Sequence, residues 1–246
     1  THRWSQKKLC KTIVMSATYR QSARVTPSLL DRDPRNRLLA RGPRFRLDAE
    51  MIRDQALAVS GLLSRKLFGP PVMPLQPDGI WKTVYNSGRW VTSTGEDRHR
   101  RGLYTFAKRT AAYPSFLLLD GGSGEVCLPR RIRTNTATAA LVTLNDPVYT
   151  EAAQTLARRV VGAADGKLSQ RVAFAWSLVT GRPPTATEAK RIVQLYQMQL
   201  EFYRQHKVAA LQMATVPLGE LPKEMDAPEL AAWTVVAGVL LNLDET

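Results

Sequence analysis

The chain has 246 residues with 44% apolar content, enough to bury a sizeable core in one large domain or two small ones, which excludes a disordered chain. Its 35 lysines and arginines against 21 acidic residues give a net charge of +14, so polyanions, acidic proteins and anionic surfaces are the partners that electrostatics favours. Nucleic acid is disfavoured within that set, because there is no zinc-finger spacing and no aromatic ribonucleoprotein motif to read a sequence. Cys10 and Cys127 have no CxxC or CxxCH spacing, and His2, His99 and His206 are scattered. No metal site or haem is therefore expected within this chain, and both thiols are expected to be free and buried, with one long-range disulfide as the lesser alternative.

Residues 4–19 place Leu9, Ile13 and Ala17 on one side of a helix and Lys7, Lys8 and Lys11 largely opposite, which predicts an amphipathic helix docked on the core. Prolines 27, 34 and 43 confine any further helix to a short piece at residues 35–40. A second long helix is expected from Asp48 as N-cap. It carries Ile52, Ala56, Val59 and Leu63 on one face and stops at Gly69, Pro70 and Pro71.

From about residue 70 to 146 the helical period is lost. Trp81, Tyr85, Trp90, Tyr104, Phe106 and Phe116 supply the apolar area that orders such a segment, so the expectation is an ordered, irregular excursion with few short strands, one of them at 115–119. The turn "DGGSG" at 120–124 lacks the Lys and Ser/Thr of a phosphate loop and reads as a plain turn.

Helices resume at Asp146 and Pro147, running to Val161. A further helix covers 167–180, with Val172, Ala175, Trp176 and Val179 as its apolar stripe. Thr185 and Glu188 form a capping box for a helix to His206 that carries Ile192, Leu195, Tyr196, Gln199 and Phe202. Asp226 and Glu229 form another for a last helix to Asn242. The apolar run at 233–243 is shorter than the roughly 20 residues that span a bilayer. The expected fold is thus mainly α, a single helical domain over 1–246.

Chemistry-bearing residues concentrate at 97–135, where Asp97, Arg98, Arg100, Arg101, Arg109, Arg130, Arg131, Arg133 and Asn135 interleave with aromatics. Such a segment is either a buried ionic framework or an anion-binding surface. Arg131 and Arg133 alternate, as in an extended strand, and so present to one side. They are expected to meet Asp48 and Glu50 at a helix N-terminus, in a cluster with Arg44 and Arg46, that ties the excursion to the scaffold. Asp48/Glu50, Glu96/Asp97 and Asp244/Glu245 are the carboxylate pairs an acid–base enzyme could use. Each is too close in sequence to predict opposed geometry, and each has an ion-pair or capping alternative.

The segments "VMSATYRQS" (14–22), "GEDRHRRGLYTFAKRT" (95–110), "EVCLPRRIRTNT" (125–136), "ALVTLNDPVYTEAAQTLA" (140–157) and "LLNLDET" (240–246) resemble the planctomycete-type C-terminal domain of unknown function. The resemblance implies the C-terminal part of a large exported protein, with a cytochrome-c-like haem domain elsewhere in the parent and an extracytoplasmic location. The first residues have neither a basic start nor an apolar stretch, so no signal peptide is expected in this chain. Where that family usually reads an aromatic and a proline, this chain has Ala107 and Ala112. The expected function is a noncatalytic interaction or scaffold domain that contacts the preceding domains and binds a sulfated or acidic glycan. The alternatives are a polysaccharide-active enzyme and a docking domain for the haem partner.

Overall fold

A computed structural model describes residues 4–81, 88–127, 129–163 and 166–244, and the chain divides into two compact units, Thr1–Leu47 and Asp48–Thr246. Tyr85 and Glu245 lie outside the described residues.

The first unit holds α1 (Gln6–Val14), capped by the Ser5 hydroxyl, and α2 (Pro27–Arg32), with Thr26 as N-cap and proline at its start. The expected docking of α1 is not observed: none of its residues is buried, and Leu9 and Ile13 are 56% and 49% exposed. The short helix expected at 35–40 is replaced by turns, with the helix falling at α2 instead. The reason is Asp33, whose carboxylate accepts from the amides of Arg37 (2.8 Å) and Leu38 (2.7 Å) and so diverts the chain from helical bonding. Arg41 closes this knot by donating to the carbonyls of Asp33 and Pro34, each at 2.9 Å. Asp33 and Arg41 are the buried residues among those described in this unit.

The second unit is a helical bundle with a long excursion. Its helices are α3 (Ala49–Ser60), α4 (Pro114–Leu118), α5 (Ala137–Asn145), α6 (Pro147–Ala163), α7 (Leu168–Thr180), α8 (Ala186–Gln205), α9 (Lys207–Thr215) and α10 (Ala227–Leu241). The mainly α expectation holds. Helix α10 is the centre, packed against α6, α8 and α9. Leu230, Ala231, Ala232, Trp233, Val236, Ala237 and Leu240 are buried, which is the pattern of a helix enclosed on all sides. Trp233 packs its ring 4.9 Å from that of Tyr196 on α8. No described helix is long and apolar enough to cross a membrane.

Local signals set most of these helices. Val172, Ala175, Trp176 and Val179 are the buried face of α7, and Gly181 ends it in the left-handed conformation, φ +73°. The Thr185–Glu188 capping box opens α8 with both of its bonds formed. Arg182 forks onto Glu188 and, with the box, holds that carboxyl at about 2.

Several expectations are corrected. Tyr203 is buried on α8, whereas Phe202 is exposed. Asp226 accepts from the Glu229 amide, but the Glu229 carboxylate turns to Arg171 (2.6 Å), so only half of the second capping box exists. Helices α5 and α9 were not expected: Thr136 caps α5 ten residues before Asp146. The strand expected at 115–119 is the helix α4, with Pro114 in its first turn. Helix α3 stops at Gly61, φ +90°, short of Leu63, and buries Ala49, Arg53, Ala56, Leu57 and Ser60. Cys10 and Cys127 are free but exposed.

The excursion is ordered by aromatics, with one isolated parallel bridge, Val72 to Thr105, among the described residues. Trp81, Trp90, Tyr113 and Phe116 form a run of ring contacts at 5.4, 5.8 and 5.0 Å, and the Trp90 indole donates to the Pro74 carbonyl at 2.8 Å.

Candidate functional site

Two layers of arginine attach the excursion to α3 and α6. The outer layer joins Asp48 and Glu50 to the segment around Arg131. The Arg131 guanidinium grips Glu50 through both terminal nitrogens, one at 2.8 Å, and Arg133 reaches the Asp48 carboxylate at 3.2 Å. Asp48 occupies the N-cap position of α3 without capping it, because its carboxylate faces Arg133. Partial burial pushes the Glu50 carboxyl up, and the Arg131 fork outweighs it, leaving the group below its ordinary value. Behind this strap, the Asp120 carboxylate accepts from the Thr134 amide (2.7 Å) and hydroxyl (2.9 Å). The strap residues also line an open groove of 340 Å³ formed by Arg130, Arg131, Ile132 and Arg133.

The inner layer is centred on two buried arginines, Arg53 and Arg100. Arg53, fully buried on α3, donates to the carbonyls of Arg100 and Arg98, the latter at 3.1 Å. Arg100, 1% exposed, donates to the carbonyls of Pro70 and Phe68 and lies 3.7 Å above the Tyr104 ring centre. Arg101 pairs with Asp54 at 3.0 Å, and the same carboxylate accepts from the Gly102 amide. No side chain fits at Gly102, since a Cβ there would lie 2.8 Å from that of Glu50. Arg98 meets the buried Glu151 of α6 at 2.8 Å, with the His99 Nε2 3.2 Å from its other oxygen. Lys66 bridges Asp97 (3.0 Å) and Glu96 (3.5 Å), which hold its ammonium above the ordinary lysine range, the Asp97 hydrogen bond first.

Beneath both layers lies a buried polar knot of Arg53, Tyr113, Asp146 and Tyr149. Burial pushes the Asp146 carboxyl up to about 6, against the opposing pull of the Val148 amide it caps (3.0 Å) and of Arg53. Burial likewise pushes the Tyr113 and Tyr149 hydroxyls far above the ordinary tyrosine range.

Of the sequence-derived residues, Asp48, Glu50, Asp97, Arg98, Arg100, Arg101, Arg131 and Arg133 have partners in this framework. Arg109 and Asn135 are exposed, while Arg44 and Arg46 belong to the first unit. Arg53, Asp54, Asp146 and Glu151 were missed. The available signal was an arginine four residues after Ala49 and three before Ala56, within the buried stripe of α3. Among the described residues no group of three or more His, Cys, Asp or Glu side chains is placed to hold a metal ion.

Fold and framework together define a basic, mainly α domain whose arginines act first on the protein itself. The chain belongs to the family PSD1, protein of unknown function (DUF1553), which it matches over residues 1–196, a span that ends within α8. Neither the curated proteins nor the solved structures gave a match.

Proposed function

We propose that this chain is a noncatalytic interaction domain that binds an anionic, sulfated or acidic glycan at the Arg130–Arg133 groove. The observation that carries the reading is the half-exposed state of the outer strap. The Arg131 and Arg133 side chains are 37% and 38% exposed, so each holds a carboxylate and still lines the open groove. Guanidinium forks match sulfate and carboxylate oxygens in the same geometry they use on Glu50. The noncatalytic part rests on the carboxylates: Asp48, Glu50, Glu96 and Asp97 each lie against a cation, which disfavours their use as acid and base. The resemblance described above supports an exported, extracytoplasmic parent with the preceding domains, including a haem domain, as further partners.

The test uses heparin as the sulfated probe. Binding is expected to weaken steeply with salt, since exposed charges are screened beyond roughly 8 Å at physiological ionic strength. Arg130→Gln is expected to weaken binding while changing stability by less than about 0.5 kcal/mol. Arg131→Ala is expected to lower both affinity and stability, the latter by about 1 kcal/mol because the pair is partly solvated. Heparin binding that ignores all three strap arginines sinks the groove. Reducing-sugar release from the same polymer would replace the reading by the enzymatic one.

A further inference from the structure

The first unit carries a second surface, independent of the groove. Its 47 residues hold twelve lysines and arginines against two aspartates, a net +10 of the chain's +14. It nevertheless buries almost nothing: Trp4, Leu9, Ile13, Met15, Leu38 and Phe45 all stand exposed. A helix turns about 100° per residue, so α1 gathers Leu9, Ile13, Cys10 and Val14 on one arc and Lys7, Lys8 and Lys11 on the other. Trp4 and Tyr19 stand exposed on either side of it.

The partner must satisfy charge and apolar area together. A second copy of the unit brings +10 against +10 and is repelled. A polar polyanion satisfies the lysines and leaves the apolar arc in water. A protein groove reads a helix at i, i+4 and i+7, and the position seven residues after Leu9 is Ser16, beyond the end of α1. An anionic lipid surface takes both faces: headgroups meet the lysines, the acyl boundary takes the apolar arc, and Trp and Tyr sit at headgroup level.

We propose that the first unit is a peripheral membrane-docking module, in which α1 lies in the plane of an anionic bilayer with Leu9, Ile13, Cys10 and Val14 inward.

The experiment is sedimentation of the full chain with vesicles of equal parts phosphatidylglycerol and phosphatidylcholine, beside vesicles of phosphatidylcholine alone. Binding is expected to the anionic vesicles only. Leu9→Ser with Ile13→Ser keeps the charge and is expected to lower partitioning on the order of tenfold or more, from the apolar area withdrawn. Replacing Lys7, Lys8 and Lys11 by Gln is expected to cost roughly fivefold per lysine. A polarity-sensitive fluorophore on Cys10, in a Cys127→Ser background, is expected to shift to the blue with anionic vesicles and not with heparin. Both serine sites are exposed, so the denaturation midpoint stays unchanged and heparin binding at the distant-in-sequence groove is retained. The proposal is overturned by wild-type binding to neither or equally to both vesicles, by full binding of the double-serine variant, or by a Cys10 fluorophore that does not shift. Failure of heparin binding alone would sink the groove and leave this proposal standing.

Discussion

The bundle and the excursion of the second unit are stabilised by opposite means. Around α10 the contacts are apolar, with Trp233, Leu230, Val236 and Leu240 enclosed by α6, α8 and α9. Among the described residues between 61 and 136 the chain is held by arginines that reach carbonyls and carboxylates, with aromatic rings packed beside them. Apolar burial is non-directional and tolerates some repacking, whereas a guanidinium specifies distance and angle for each of its donors. An irregular segment with few backbone partners of its own needs that second kind of restraint, because its carbonyls must be satisfied by something.

The largest expected effects contrast these two regions directly. Trp233→Ala is expected to destabilise by about 3 to 5 kcal/mol, in one global transition, because a buried ring leaves a cavity at the centre of the bundle. Arg53→Ala is expected to cost a similar 3 to 5 kcal/mol or so, since it strips partners from the Arg98 and Arg100 carbonyls and leaves Asp146 uncompensated. Hydrogen exchange separates them: Arg53→Ala is expected to release amides of 61–136 first, with α10 still protected. Uniform exchange in both variants would erase the distinction between the two regions.

The next effect is a pH slope. Asp146 titrates near 6 when folded against an ordinary 3.8, so the folded state binds the extra proton between those values and stability falls as pH rises through that window. Glu50 acts in the opposite sense, its contribution present above the unfolded value and lost as pH falls through its lowered one. Asp146→Asn keeps a side chain able to cap α6 and is expected to raise stability at pH 7 on the order of 2 kcal/mol. Denaturant titrations at pH 4.5 and 7 check this, and a variant that is less stable at pH 7 would show that the Arg53 contact dominates the buried carboxylate.

The smallest concerns the bundle's edge. Thr185→Ala is expected to cost about 1 kcal/mol through loss of the capping bond to Glu188, with no change in ligand binding. An unchanged midpoint would mean that the Arg182 fork alone starts α8.

The legible part of this protein was local. The start of α8 and the end of α7 follow from Thr185, Glu188 and Gly181, whose partners lie within a few residues. The buried stripe of α7 follows from a spacing of three and four. The pairing of Arg131 and Arg133 with Glu50 and Asp48 was also readable, because alternation in an extended segment and carboxylates at a helix start are both visible in one dimension. What remained hidden depended on distant backbone. Arg53 reads as an ordinary charged position until the carbonyls of Arg98 and Arg100 come to meet it from 45 and 47 residues away. Nor could residues 115–119 be distinguished from a strand by composition, since a short apolar run such as Phe116 to Leu119 fits either and Pro114 in the first turn decided for α4. In the first unit, the amphipathic pattern of α1 was set by the order of its residues, but whether its apolar arc is covered depends on the packing around it. Tertiary structure leaves Leu9, Cys10 and Ile13 exposed to solvent, because periodicity specifies which side of a helix is apolar and carries no information about what that side touches.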